Sequence, residues 1–305
     1  MIKVSVLVSL YRCQKFLPAF LEYCIKTNGL DQIEFLLLHN DPQQEEVDTI
    51  NKYISFFPHL SYEKITAREG LYATWNRGIK LAKGEYITVW NVDDIRFPDS
   101  ILQQAKSLDD HPDCALVYGD MYCSKIYGEA GSKVTNAPAW TASKNKEFYR
   151  TYHMSCFQMW RKSVHSAIGY YDEQFRCSAD FDFQIRTALH FPFVKAPELL
   201  GIYLEAQPHK LSSNGLQRYE NNVIHLRYGA YENLDLPTLA KAVKLYSKEK
   251  MMFYGKWVGF EEKSPFKNAY KLKGALIAAG HFPLSFSKLT VKRVLRALQS
   301  KKRTA

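Results

Sequence analysis

Two adjacent carboxylates, Asp93-Asp94, follow closely on the run Tyr86-Ile87-Thr88-Val89-Trp90. A run of that kind reads as a buried strand, and in a parallel α/β sheet ligands collect beyond the carboxyl ends of the strands. Side by side in such a crevice, two carboxylates repel unless a cation compensates them. Mg2+ and Mn2+ take oxygen ligands and keep positions open for phosphate oxygens, so the pair suits a metal that carries a diphosphate. A turn and helix cap ahead of Pro98 is the plainer role for the same residues. Two further strand exits hold polar groups. At Ser9-Leu10-Tyr11-Arg12 the tyrosine suits stacking on a nucleobase and the serine suits a hydrogen bond; at His39-Asn40-Asp41 the side chains suit a ribose or a base. Taken alone, Tyr11 also reads as a core tyrosine, and His39-Asn40-Asp41 as an ordinary turn.

Other chemistries lack their signatures. No G-x-G-x-x-G follows the first strand, and there is no G-x-x-x-x-G-K-[ST], which argues against dinucleotide and P-loop sites. No G-x-S-x-G elbow is present. The six cysteines form no C-x-x-C pair and none stands near a histidine at zinc-site spacing, so they read as reduced thiols of a cytoplasmic protein. The N-terminus has no signal-peptide pattern, and no stretch approaches the apolar length of a membrane span.

The elements that must position these residues alternate. Val4 to Val8 and Ile33 to Leu38 read as buried strands, and Leu60 to Ile65 as a third. Between them lie a helix with Phe16, Leu17, Phe20, Leu21 and Cys24 on one face and a polar helix from about Gln43 to Phe57. A helix over Tyr72 to Ala82, closed by Gly84, leads into the strand at Tyr86. This is a mostly parallel sheet with helices on both faces. Later come a loop over 128–146, a strand near Met154 to Trp160, a short helix from Ser163, and a helix to about His190 that Ser178 is placed to cap, with Asp180 and Asp182 in its first turn. Beyond Gly215 the pattern reads as mainly helical.

In order and spacing these segments resemble the family-2 glycosyltransferases. The V-S-V-I-I-P-x-Y-N opening of that family matches Val4-Ser5-Val6-Leu7-Val8-Ser9-Leu10-Tyr11-Arg12, and its E-I-I-V-V-D-D strand matches Glu34-Phe35-Leu36-Leu37-Leu38-His39-Asn40. The N-x-G…A-R-N-x-G-I segment matches Arg68-Glu69-Gly70…Thr74-Trp75-Asn76-Arg77-Gly78-Ile79. The most specific stretch, A-x-G-E-Y-I-x-F-L-D-x-D-D, matches Ala82 to Asp94, and I-G-x-F-D-E-x-F and E-D-x-D-L-W-x-R match Ile168 to Phe175 and Ala179 to Arg186. The chain departs from the pattern at Arg12, at His39-Asn40, at Asn91 and at Ala179.

The resemblance implies a GT-A fold over 1–213, with a donor half to about 118 and an acceptor half from 119, followed by a basic helical extension over 214–305. It implies an inverting transfer of a sugar from a nucleotide-sugar to an acceptor hydroxyl, in bacterial surface polysaccharide or glycan synthesis. UDP-sugars are the favoured donors, with GDP- and TDP-sugars as alternatives, and the acceptor is a glycan or lipid-linked glycan. Asp180 would be the base. Asp94 and Asp93, with His209, would hold Mn2+ or Mg2+; Ser9, Tyr11, Asn40, Arg68, Asn76 and Asp93 would contact the nucleotide-sugar. Asp182 reads as a cap of its own helix. A non-catalytic carbohydrate- or nucleotide-binding module on the same fold and a sugar-phosphate nucleotidyltransferase are the rival readings.

Charge is divided unevenly. Residues 237–305 hold 16 Lys and Arg against 3 Asp and Glu, while the first 236 hold 25 against 28. Lys241, Lys244, Lys248 and Lys250 lie at near-helical spacing. Leu289, Val291, Val294, Leu295 and Leu298 alternate with Lys288, Lys292, Arg293 and Arg296. The lysine spacing reads plainly as a solvated helix face, and the second helix suits peripheral attachment to an anionic membrane surface at its cytoplasmic face or simple packing on the catalytic domain with its charges in water. No motif points to nucleic acid.

Overall fold

The computed structural model describes residues 1–131, 133–135, 147–205, 215–228, 230, 250–253 and 256–259. Four strands form the first half of the sheet: β1 (Val4–Leu10), β2 (Ile33–Asn40), β3 (Leu60–Ile65) and β4 (Tyr86–Val89). They stand in the order β3-β2-β1-β4, all parallel. Helices α1 (Leu17–Ile25), α2 (Gln44–Tyr53) and α3 (Leu71–Leu81) connect them.

The parallel pattern stops at β4. The sheet continues as β8 (Met159–Arg161), β6 (Leu116–Ser124), β9 (Phe193–Leu204) and β5 (Ile95–Arg96), with β7 (Lys133–Thr135) on β6. Of these pairings only β6 with β9 is parallel. The sheet is thus mixed, not mostly parallel, and the strand expected from Met154 is only the three residues of β8. Helices α4 (Ser100–Asp110), α5 (Glu147–Arg150), α6 (His165–Ile168), α7 (Ala179–Ala188) and α8 (Leu216–Tyr228) complete the body. The described residues beyond it form an antiparallel pair, β10 (Lys250–Phe253) and β11 (Lys256–Gly259), so Lys250 opens a strand where its spacing predicts a helix. The other basic-tail residues singled out above lie outside the described residues.

Alternation along buried strands divides the core into two layers. Leu7, Leu36, Ile87 and Leu116 pack under α3, α7 and α8; Val6, Phe35, Tyr86 and Val117 pack under α1 and α4. Each large side chain removed from water in this way contributes about 1.5–3 kcal/mol. Backbone proximity sets the start of β4. A Cβ on Gly84 would lie 2.6 Å from Ser5 N. The Ser5 hydroxyl there accepts Gly84 N at 2.8 Å and donates to the Glu34 carboxylate. That contact seats β4 beside β1, which brings their carboxyl ends to one edge. Among the described residues no helix is long and apolar enough to cross a membrane.

Candidate active site

A cavity of about 610 Å3 opens at this edge, with Ser9, Asn91, Asp93, Tyr72, Trp75 and Asp180 among its lining residues. The sheet delivers the first three and α3 the aromatic pair. Asp180 arrives on the first turn of α7.

The turn after β4 is tightly wound. Asp94 N donates to Asn91 O (3.1 Å) and the Trp90 indole N–H to Asp94 O (3.0 Å). The Asn91 amide donates to Asp94 Oδ2 at 3.0 Å, and Leu204 N donates to Asp94 Oδ1 at 3.2 Å. Asp94 is therefore buried and clamps this turn to the end of β9, and Asp93 is the carboxylate that faces the cavity. This corrects the expectation that Asp94 leads the metal set. It also explains why an amide suits position 91, since an aspartate there would set a second carboxylate against Asp94 where Asn91 now donates. His209 lies outside the described residues.

Among the described residues no three His, Cys, Asp or Glu side chains converge as a metal cage. Asp93, with Asn91 also on the cavity wall, still fits a hard cation. Mg2+ and Mn2+ are commonly held by one or two carboxylates with substrate phosphates and water completing the shell.

Of the residues expected around the nucleotide, Ser9 lines the cavity. Tyr11 lies under two cations, its ring 4.1 Å from the Arg68 guanidinium and 5.2 Å from that of Arg12. Asn40 is elsewhere engaged. It is buried, its amide donates to Thr74 Oγ1 (2.7 Å), and its oxygen accepts Glu69 N (3.1 Å), which fastens the 66–70 loop to α3. Asn76 is a second buried clamp: its amide donates to Tyr171 O and Glu173 Oε1, and its oxygen accepts Tyr171 N. Both are corrected from nucleotide contacts to fasteners. Both are buried, and neither is among the residues that line the cavity. His39 is sealed in as well, between the Tyr62 hydroxyl (2.8 Å) and Glu46 Oε2 (2.9 Å).

Asp180 has an acid–base environment. Burial raises its carboxyl to about 6, against the lowering effect of Phe181 N and the Tyr152 and Tyr72 hydroxyls. Phe181 N donates to Oδ1 at 2.8 Å and Tyr72 Oη to the same oxygen at 3.3 Å. A carboxylate held near 6 is mostly ionised at neutral pH yet much more basic than an exposed one.

Sequence reasoning missed what fixes Asp180. Ser178 makes no cap hydrogen bond; Glu220 of α8 does this work, accepting Arg176 N, Cys177 N and Ser178 N at 2.7–2.9 Å. Asp182 does not cap its helix either. It is fully buried and pairs with Arg186 Nε (2.8 Å) and Arg227 Nη1 (3.1 Å), and it accepts the Tyr228 hydroxyl (2.9 Å). Arg227 also pairs with buried Asp172 at 2.6 Å. Burial pushes Asp172 up; it also opposes ionisation of Asp182, but the two arginines hold that carboxyl below the ordinary range. The α8 partners stand at least 42 residues away in sequence, so no local pattern announces them. The nearest signals are the polar positions Glu220 and Arg227 within the apolar periodicity of α8.

Similarity to known proteins bears on this geometry. The model of the family described as Glycosyl transferase family 2 matches residues 5–171. The chain belongs to that family. A PGL/p-HBAD biosynthesis glycosyltransferase of Mycobacterium bovis is 27% identical over 186 residues, 60% of this chain and 68% of that one. An uncharacterized glycosyltransferase of Methanocaldococcus jannaschii is 25% identical over 187 residues, 60% of this chain and 63% of that one. Among solved structures, S. aureus TarS 1-349 in complex with UDP-GlcNAc aligns with TM-score 0.62 at 17% identity, covering 89% of this chain and 76% of that one. A mannosyltransferase of Pyrobaculum calidifontis, solved with GDP-Man and Mn2+, aligns with TM-score 0.56 at 12% identity, covering 97% and 79%. The chain spans 42% of a longer TarS chain. These likenesses share the GT-A fold. The residues that resemble the family's acidic motif fall on the turn just described, and of its two carboxylates Asp93 is the one that lines the cavity.

Proposed function

We propose that this family-2 chain is a metal-assisted, inverting glycosyltransferase that moves a sugar from a nucleoside-diphosphate sugar to an acceptor hydroxyl. The observation that carries the reading is one cavity lined both by Asp93, suited to a cation and diphosphate, and by Asp180, a carboxyl raised to about 6. One solved relative is in complex with UDP-GlcNAc and another with GDP-Man and Mn2+, which supports a nucleotide-sugar and a metal.

The chain's own groups divide the work. Asp180 takes the proton of the acceptor hydroxyl, an alcohol being a poor nucleophile at neutral pH. Phe181 N and the Tyr72 hydroxyl donate to Oδ1, and the Tyr152 hydroxyl also favours the ionised carboxylate that accepts this proton. Tyr72 and Trp75 offer an aromatic wall beside it for the face of a pyranose acceptor, and hold the hydroxyl in line with the sugar carbon. Asp93 and Asn91 would hold the Mn2+ or Mg2+, which when bound supplies positive charge to the departing diphosphate. The acceptor is a glycan or lipid-linked glycan. Peripheral membrane attachment through the basic residues 237–305 accompanies this reading, supported by their 16 Lys and Arg against 3 Asp and Glu.

The test is nucleotide release from UDP-, GDP-, CDP- and TDP-sugars with Mn2+ and a panel of glycan acceptors. Release dependent on acceptor, lost in EDTA and in Asp180→Asn, is expected. Binding of nucleotide and glycan with no turnover of any donor would leave a binding module, one of the rival readings. Nucleotidyl transfer to a sugar phosphate would establish the other.

A further inference from the structure

The exits of β1 and β2 share an unusual backbone. Arg12 and Asp41 both have φ of 47°, in the left-handed region that side chains seldom adopt. Such conformations persist where the surroundings hold them, and they cluster at ligand sites. Here Asp41 N is held by Ile65 O at 2.9 Å, and the residue after Arg12 is held by Cys13 N donating to Glu46 Oε1. The two side chains meet across the edge, Arg12 Nη2 lying 4.0 Å from Asp41 Oδ2, with 68% and 44% of each side chain exposed. Arg12 and Arg68 both approach the Tyr11 ring. Meanwhile His39 and Asn40, which stand where the family's acidic pair contacts the nucleoside, are sealed by their own partners. What the edge presents is one carboxylate, two guanidinium groups and an aromatic ring.

We propose that this edge reads guanine, so that the donor is a GDP-sugar and not the UDP-sugar that the family resemblance favours. The inference rests on the nucleotide-sugar reading above and specifies its base. Guanine alone among the bases of the common sugar donors carries two neighbouring N–H donors, N1–H and the N2 amino group, on one edge. A single carboxylate accepts both, and Asp41 offers one. The O6 and N7 atoms form a pair of acceptors on another edge, which is the pattern a guanidinium meets with two parallel bonds. Uracil and thymine place one N–H between two carbonyls, so one oxygen of a carboxylate would face a carbonyl oxygen. Cytosine in its neutral form has no ring N–H there at all. The larger purine face also covers more of the Tyr11 and Arg68 planes.

The test is calorimetric titration of the full chain with GDP, UDP, CDP and TDP in the presence of Mn2+. GDP is expected to bind at least about tenfold more tightly than the others, in line with the value of a bidentate pair. Asp41→Asn removes the second acceptor but tolerates the left-handed backbone. It is expected to weaken GDP about tenfold and leave UDP within about twofold. Tightest binding of UDP, CDP or TDP would overturn the guanine assignment while leaving the nucleotide-sugar reading in place, as would equal loss of GDP and UDP in Asp41→Asn. Binding of none of the four by protein with a native circular dichroism spectrum would overturn both.

Discussion

Replacing Tyr72 by Phe removes one hydroxyl from the base and nothing else from the cavity wall. Tyr72 Oη donates to Asp180 Oδ1 at 3.3 Å, a long bond to a charged acceptor. Hydrogen bonds to charged groups contribute about 1.5–3 kcal/mol, and this length puts the Tyr72 bond at the lower end. About 1.4 kcal/mol is one pH unit. The phenol favours the carboxylate form, so its loss raises Asp180 from about 6 toward roughly 7. The base is the ionised form; activity is present above the pKa and lost as pH falls through it. The acidic limb of kcat against pH should therefore move up by about one unit in Tyr72→Phe. At pH 6 the wild type keeps about half of its base and the variant roughly a tenth. At about pH 8.5 the two should converge. Nucleotide release measured at saturating donor from about pH 5 to 9 reads this directly. An acidic limb that stays in place, or a wild type with flat activity from about pH 5 to 7, would refute the role given to Asp180.

Asp180→Asn should lower kcat by about 10²-fold or more while donor affinity holds. The same change should stabilise the fold: above about pH 6 the native state carries an ionised carboxylate that burial opposes, a penalty absent below the ordinary carboxylate range. Stability from denaturant unfolding at about pH 7.5 should rise by about 1–2 kcal/mol, with the gain shrinking as pH falls below about 6. Asp93→Asn should weaken Mn2+-dependent nucleotide binding in calorimetry at least about tenfold, whereas Asp94→Asn should lower the unfolding midpoint first, because its carboxylate holds Leu204 N. Arg227→Met leaves Asp172 and Asp182 buried with one cation between them and should cost about 3–5 kcal/mol in urea unfolding.

The strands that face the donor were legible because each is a short buried run between turn residues, and β1, β2, β3 and β4 fall where those runs fall. The long strand β9 was not. Its burial alternates poorly because Pro197 and Glu198 interrupt it, and the pairing with β6 shifts register at that place. Exposure is concentrated at the irregularity and burial resumes beyond it, so no period of two survives in the sequence.

The candidate site divides along the same physical line. Residues that hold their position through neighbours in sequence, such as Asp93 on its turn, can be expected at the sheet edge from the local pattern alone, and Asp93 does line the cavity there. Residues whose polar atoms are spent on distant backbone cannot be placed in that way. Asn40 and Asn76 sit at motif positions, yet one fastens the 66–70 loop and the other the 171–173 segment. An amide's two donors and its acceptor oxygen suit that work as well as they suit a ribose, and type and spacing do not distinguish the two uses. The proposed base shows the dependence most plainly. Asp180 stands at a motif position, but its raised carboxyl comes from burial against the pull of two tyrosines, and its loop is held by Glu220, far along the chain. The α7 N-terminus is thus built by α8. Glu220→Gln keeps the size of that side chain and removes its charge. It should weaken three backbone bonds at once and slow turnover through misplacement of Asp180, with the acidic limb displaced as well. A purely structural role for Glu220 would lower the unfolding midpoint and leave the pH profile of the folded enzyme where it was.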